Sequence, residues 1–261
     1  MTRIGLVTFL SAFLAAAAPV PAPADEPTAV EPPASGHKAD YEACMKLAEE
    51  EPAKAKASAD AWAAKDGGAP AEHCLAVALI GLGRHVEAAK ILERLADDYG
   101  PGRDELKVAL LAQAGQAWFL AGVLERAGAV QTAALDLAPR DVDLLIDRSL
   151  TLAAGKLYWG AIDDLNEANA VAPARPDVLI YRASAYRLLE SYGLAMEDIQ
   201  AALLIDPKEP VALLERGNLY RLTGEDELAR DDWARVIALA PTSDAAGAAR
   251  ANLRSLETGA E

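Results

Sequence analysis

The sequence contains few of the residues from which metal and catalytic sites are usually built. Its 261 residues include three histidines and two cysteines, and they do not form the closely spaced pairs of a structural zinc site. No Ser/His/Asp set, Cys/His set or phosphate-binding glycine loop is recognisable. We therefore expect no catalytic residues, no metal, no cofactor and no enzymatic activity.

Positive charge is also scarce. Lys and Arg number 25 against 40 Asp and Glu, which gives a net charge of −15. Proteins that bind nucleic acids or anionic membranes neutralise phosphates with Lys and Arg, so the composition excludes nucleic acid as a partner. The acidic residues are spread along the chain, and we interpret them as a solvated surface that favours solubility.

The first 24 residues have the pattern of a secretory signal peptide. Arg3 precedes an apolar run over residues 4–18, and Ala22-Pro23-Ala24 has the small-x-small form of a cleavage site. The run is shorter than the roughly 20 residues of a spanning helix, although an uncleaved anchor is an alternative. We expect a periplasmic protein without direct membrane insertion after cleavage. Residues 25–38 contain three prolines and are predicted to form a disordered leader.

A 34-residue period runs through the second half of the sequence. The blocks 108–141, 142–175, 176–209 and 210–243 share a small residue at position eight, alanine at position twenty and proline at position thirty-two. The alanines are Ala127, Ala161, Ala195 and Ala229, and the prolines are Pro139, Pro173, Pro207 and Pro241. Small residues allow two helices to cross closely, and proline ends a helix. The period therefore predicts consecutive hairpins of two helices.

This pattern resembles the tetratricopeptide-repeat (TPR) family, whose units are antiparallel helix pairs of 34 residues. The resemblance implies an all-α solenoid, a right-handed superhelix of helix hairpins. A further repeat is recognisable at 69–102 and an atypical helix pair at 39–68, and residues 103–107 interrupt the period. Residues 244–261 are expected to form a capping helix and tail, with Asn252 on its solvent side.

The two cysteines, Cys44 and Cys74, are 30 residues apart, on the first helices of two successive predicted hairpins. First helices lie side by side in a stacked array, and an exported protein meets an oxidising compartment. We predict a disulfide between them, worth about 3 to 4 kcal/mol in the chain-entropy model. The alternative is a pair of buried free thiols.

An arginine at position seven and an aspartate at position 23 recur in three repeats. The pairs are Arg148 with Asp164, Arg182 with Asp198, and Arg216 with Asp232. A guanidinium binds a carboxylate through two parallel hydrogen bonds, so we interpret these residues as structural ion pairs. An anion-binding or catalytic role for the arginines is the alternative.

The family resemblance also implies a partner site. In TPR proteins the first helices line a concave groove that binds protein segments, and the matching positions contain both apolar and polar residues. The candidates are Gln116, Phe119, Ile146, Ile180, Ser184, Arg187, Leu214, Asn218 and Arg221. Arg187 and Arg221 are expected to meet a partner carboxylate, and the apolar residues to anchor a peptide or helix.

These expectations favour a non-enzymatic adaptor or assembly scaffold of the bacterial cell envelope. The alternative is a TPR frame that supports an envelope enzyme or a peptidoglycan-related activity. A glycan site would use exposed aromatic residues along the groove, and Phe119 alone fits that requirement.

Overall fold

The computed structural model of the chain describes residues 37–258. This part of the chain forms thirteen α-helices and no β-strand. The predicted signal peptide, nearly all of the predicted leader and residues 259–261 lie outside the described residues. The helices are α1 Lys38–Glu50, α2 Pro52–Ala63, α3 Gly68–Gly81, α4 His85–Asp98, α5 Asp104–Leu120, α6 Leu124–Leu137, α7 Val142–Ala154, α8 Tyr158–Val171, α9 Pro176–Leu188, α10 Tyr192–Ile205, α11 Pro210–Leu222, α12 Asp226–Leu239 and α13 Asp244–Thr258.

The chain divides into two compact units, with the boundary within α7 after Thr151. The N-terminal unit contains α1 to α6 and most of α7, and the C-terminal unit contains the end of α7 and α8 to α13. In the C-terminal unit each helix from α8 onward packs on the next, and α11 also contacts α9 and α13. Short connections make consecutive helices antiparallel. The fold is an all-α solenoid of helix hairpins, as the period predicts.

Proline and glycine mark the ends of the helices. Pro176 and Pro210 occupy the first turns of α9 and α11, where the missing N–H group costs no hydrogen bond. Gly122 and Gly224 follow α5 and α11 with φ of 74° and 85°. Lys156 and Glu190 take the equivalent positions after α7 and α9, with φ of 63° and 57°, a region in which a Cβ atom is unfavourable. These two turns therefore contain local backbone strain.

The two helices of a hairpin cross where a small residue faces a larger one. A Cβ atom on Gly217 would lie 2.5 Å from Nε1 of Trp233, and one on Gly115 would lie 2.7 Å from Cγ of Gln131. In the repeat before Gly217, the same positions hold Ala183 and Ile199, both fully buried. At all three crossings position eight is therefore a small residue, Gly or Ala.

The interruption at residues 103–107 lengthens a helix. α5 has 17 residues, whereas α7, α9 and α11 each have 13. Most of the extra residues therefore form an additional turn at the start of α5, and the helix-turn-helix pattern continues after it.

The last helix covers the apolar side of the final hairpin. α13 packs against α11 and α12, and Ala245, Ala246 and Ala249 are buried on that side. Leu253 and Leu256 pack against the same core. This helix therefore occupies the place of a first helix and closes the C-terminal unit.

Candidate functional site

The first helices of successive hairpins are joined by polar side chains at positions nine and six. In the N-terminal unit, Gln116 Nε2 donates a hydrogen bond of 3.0 Å to Asp147 Oδ2. In the C-terminal unit, Ser184 Oγ donates one of 3.0 Å to Glu215 Oε1. Each bond spans 31 residues of sequence. We use the term first-helix face for the surface that α1, α3, α5 and α7 form in the N-terminal unit and that α9, α11 and α13 form in the C-terminal unit.

A buried ion pair lies at the centre of the first-helix face of the C-terminal unit. Arg187 Nε lies 2.5 Å from Glu215 Oε1, and the two side chains are 5% and 7% exposed. Asn218 Nδ2 donates to the other carboxylate oxygen of Glu215 at 3.1 Å. Glu215 therefore receives hydrogen bonds from three side chains, those of Ser184, Arg187 and Asn218, which offset the cost of burying its charge.

The hydrogen bonds continue into the closing helix. Asn218 Oδ1 accepts from Asn252 Nδ2 at 2.8 Å and from Trp233 Nε1 at 3.3 Å. Asn252 was expected on the solvent side of α13. It faces α11 instead, as the hydrogen bond between its amide and Asn218 shows. We call Ser184, Arg187, Glu215, Asn218, Trp233 and Asn252 the Glu215 cluster.

The structure corrects the expected role of Arg187. Its guanidinium is buried against Glu215, so a partner carboxylate would have to displace a carboxylate that is already bound. The apolar residues at position five, Ile146, Ile180 and Leu214, are also buried rather than accessible as anchors, and Ile180 and Leu214 belong to the core of the C-terminal unit. The physical reason is that position five faces neighbouring helices.

The remaining groove candidates are accessible to different degrees. Gln116 is exposed, and Phe119, Ser184 and Asn218 are half-buried. Arg221 is exposed, with Nη1 3.5 Å from Asp226 Oδ1. Leu222, which is adjacent in sequence, is an exposed apolar residue at the end of α11. Among the groove candidates of the C-terminal unit, the accessible side chains are therefore uncharged except for that of Arg221.

The first-helix face of the N-terminal unit contains two unusual titratable groups. Burial raises the pKa of Asp147 to about 6, whereas the hydrogen bond from Gln116 favours the charged form. His73 is buried, and burial lowers its pKa. The His73 Nε2 atom donates to Gln113 Oε1 at 3.0 Å, and Nδ1 accepts from the Tyr41 hydroxyl at 2.8 Å. These contacts join α1, α3 and α5.

A second row of charges lies within the hairpins. Arg182 binds Asp198 through hydrogen bonds of 2.8 and 2.6 Å, and Arg216 binds Asp232 through bonds of 2.6 and 2.8 Å. These bonds raise the pKa of both guanidinium groups. Both aspartates are buried, and each pair joins the two helices of one hairpin.

The third predicted pair has a different position. Arg148 and Asp164 belong to different units, and their pairing stays a prediction. Within the N-terminal unit, Arg148 Nη1 donates to Thr132 Oγ1 at 3.2 Å.

The predicted disulfide is present between Cys44 of α1 and Cys74 of α3, with a Cα–Cα distance of 6.1 Å. Both cysteines are buried and pack with Ala59. The disulfide thus ties the atypical first hairpin to the next one, beside the contact between Tyr41 and His73.

Among residues 37–258, no group of three or more His, Cys, Asp or Glu side chains is arranged to hold a metal ion. No helix in that range has the length and apolar character needed to cross a membrane.

Solved structures of known proteins share the fold of this chain. No family model and no curated protein matches the sequence. MamA from Desulfovibrio magneticus RS-1 is 23% identical, with a TM-score of 0.57, 67% of this chain covered and 97% of that chain. TTC0263, a thermophilic TPR protein of Thermus thermophilus, is 20% identical, with a TM-score of 0.57, 71% of this chain covered and 99% of that chain.

A third solved structure is YrrB, described as a TPR protein with an unusual peptide-binding site. It is 18% identical, with a TM-score of 0.53, and the match covers 65% of this chain and 88% of that chain. At these identities the likeness shows the fold alone. The chain therefore has the fold of a TPR solenoid, the class of protein that its repeats predict.

Proposed function

We propose that this protein is a non-enzymatic adaptor or assembly scaffold of the bacterial cell envelope. On this proposal, the first-helix face of its C-terminal unit binds a peptide or helical segment of a partner protein. The observation that carries the proposal is the Glu215 cluster, which holds polar side chains of α9, α11 and α13 in one hydrogen-bonded row.

The cluster suits a peptide because its charges are already paired. Arg187 and Glu215 neutralise each other inside the fold, whereas Ser184, Asn218 and Asn252 are only partly buried. Hydroxyl and amide groups both donate and accept hydrogen bonds, as do the N–H and C=O groups of a peptide main chain. Because the ion pair orients these side chains before binding, less conformational entropy is lost in the complex.

In this proposal, Leu222 and Arg221 at the end of α11 contact the side chains of the partner segment. Leu222 is exposed and can pack against an apolar residue of the partner. The ion pair of Arg221 with Asp226 is solvent-exposed, and exposed pairs contribute little to stability. A partner carboxylate can therefore compete for Arg221, which keeps the role that was expected of both Arg187 and Arg221.

Two further observations support the proposal. The YrrB structure, whose description mentions a peptide-binding site, shares this fold. The location in the cell envelope is supported by the signal-peptide pattern of residues 1–24.

The proposal is tested by site-specific photo-crosslinking in the bacterium that produces this protein. A photoreactive p-benzoylphenylalanine placed at Leu222 is expected to form a crosslink to one discrete partner, and the crosslinked peptide identifies the segment bound. The matched control places the same group at Leu204 of α10, which is 85% exposed but lies outside the first-helix face. Equal products at the two positions, or none at Leu222, would contradict the proposal.

A second experiment separates recognition from folding. Asn218→Ala combined with Arg221→Ala should abolish the crosslink from Leu222, whereas Arg140→Ala should leave it unchanged. Arg140 is exposed in the turn before α7 and provides a control for loss of a surface cation. Thermal unfolding of each purified variant verifies that the fold is retained.

A further inference from the structure

Large apolar side chains lie exposed at the start of the second helices in the C-terminal unit. Leu157 and Trp159 are 61% and 63% exposed at the beginning of α8, and Leu194 and Leu228 are 46% and 44% exposed in the first turns of α10 and α12. Trp159 is the most exposed of the four tryptophans, since Trp118 and Trp233 are buried and Trp62 is half-buried. Exposed apolar residues that lie together in a patch mark interaction sites.

The topology brings these residues to one edge. α9 packs against both α8 and α10, and α11 packs against both α10 and α12. Because consecutive helices are antiparallel, the starts of α8, α10 and α12 point to the same edge of the unit. We call Leu157, Trp159, Leu194 and Leu228 the edge row.

A row of carboxylates accompanies the edge row, one helical turn further along. Asp163, Glu197 and Asp231 occupy position 22 of their repeats, and all three are exposed. Asp163 follows Trp159 by four residues, Glu197 follows Leu194 by three, and Asp231 follows Leu228 by three. Residues three or four apart lie on the same face of a helix, so Trp159, Leu194 and Leu228 each have an acidic neighbour on the same surface.

We propose that the edge row and these carboxylates form a second docking surface, which binds a basic amphipathic helix of a partner protein. The apolar stripe of such a helix packs on Leu157, Trp159, Leu194 and Leu228, and its Lys and Arg side chains meet the carboxylates. Charge complementarity selects this partner, because an acidic segment or an anionic membrane is repelled by the same row. The edge row lies at the starts of the second helices, whereas the Glu215 cluster lies mainly on α9, α11 and α13. Arg221, at the end of α11, adjoins the edge row through its contact with Asp226. The edge row adds a second partner site to the proposed scaffold.

The test uses the chain from Asp25 and a synthetic 18-residue helical peptide that contains only leucine and lysine, with the leucines on one face. A second peptide replaces every lysine by glutamate. Isothermal titration calorimetry should detect binding of the lysine peptide only, with an affinity that falls as salt is raised from about 50 to about 300 mM. Acrylamide quenching of Trp159 fluorescence should decrease in the complex.

Variants at the surface determine whether binding occurs there. Trp159→Ser with Leu194→Ser is expected to weaken binding about tenfold or more, as is Asp163→Lys with Glu197→Lys. The control Leu204→Ser removes an exposed leucine outside the edge row and should change nothing. Unchanged affinity in the two double variants, or equal binding of the glutamate peptide, overturns the proposal.

The two proposed sites are distinguished by a further pair of measurements. Asn218→Ala should leave binding of the lysine peptide intact, and Trp159→Ser should leave the crosslink from Leu222 intact. If the chain instead self-associates in sedimentation experiments and Trp159→Ser prevents it, the edge row binds a second copy of this chain and the proposed partner is wrong.

Discussion

The guanidinium of Arg187 and the carboxylate of Glu215 form an ion pair between consecutive first helices, with an Nε–Oε1 distance of 2.5 Å and both side chains more than nine-tenths buried. Breaking a buried pair leaves one charge without compensation, whereas replacing both partners removes the desolvation cost as well.

The first prediction concerns this pair. Arg187→Met should lower the free energy of unfolding by about 3 to 5 kcal/mol, because Glu215 then stays buried without its cation. Arg187→Met combined with Glu215→Leu should recover much of the loss. Urea unfolding at pH 7 measures both changes. A double variant no more stable than Arg187→Met would show that the pair is not the dominant interaction there.

The second prediction concerns the close crossing of α11 and α12. Gly217→Ala would place a methyl group 2.5 Å from Trp233 Nε1, and we expect a loss of about 1 to 3 kcal/mol from overpacking. Gly193→Ala is the control, because a Cβ atom there meets nothing within 4 Å and alanine favours a helix. Thermal unfolding should show a lower midpoint for Gly217→Ala only. Equal midpoints would contradict the proposed crossing.

The third prediction concerns the strained turns. Glu190→Gly should stabilise the protein by about 1 kcal/mol, because glycine adopts positive φ without the Cβ penalty. Gly224→Ala, at the equivalent position with φ of 85°, should destabilise by a similar amount. Both effects are measurable as shifts in urea midpoint. A destabilised Glu190→Gly would mean that the turn is not limited by its backbone conformation.

The fourth prediction concerns pH. Asp147 has a pKa raised to about 6 in the folded protein from 3.8, so the folded state binds a proton more tightly than the unfolded state. Its contribution to stability therefore decreases as pH rises from about 4 to 6. Asp147→Asn should be more stable than wild type at pH 7 by about 1 to 3 kcal/mol, and the difference should shrink towards pH 4. A difference that does not vary with pH would contradict the raised pKa.

The fifth prediction concerns the N-terminal hairpin. Replacing Cys44 and Cys74 by serine should lower the free energy of unfolding by about 3 to 4 kcal/mol, the chain-entropy value for this loop. Hydrogen exchange should locate the faster opening in α1 and α2, because the disulfide ties α1 to α3. Under reducing conditions the wild type should approach the variant. Unchanged exchange in both helices would show that packing alone holds the hairpin.

The architecture was predictable because it depends on a local rule repeated at fixed intervals. Alanine at position twenty and proline at position thirty-two constrain each hairpin separately, and the Arg182–Asp198 and Arg216–Asp232 pairs also lie within single hairpins. The contacts of each pair span 16 residues. This separation is set by the positions of the two residues within a single repeat.

The candidate site was less predictable because its contacts join different hairpins. Glu215 was not among the expected site residues, although an acidic residue at position six of a largely apolar first helix was a detectable signal, as was Asp147 at the same position two repeats earlier. The pairing of Arg187 with Glu215 spans 28 residues and depends on how one first helix lies beside the next. Family positions indicated which residues share a face, but not how deeply each one is buried.

By itself, the sequence determined the class of fold and the order of the hairpins, since spacing along the chain is sufficient for these features, and it predicted the cysteine pair. Only the tertiary structure decided that Arg187 is occupied by Glu215, that Ile180 and Leu214 belong to the core and that Trp159 lies exposed beside an acidic row. The physical reason is that burial and pairing depend on the distance between neighbouring helices, which no single repeat encodes.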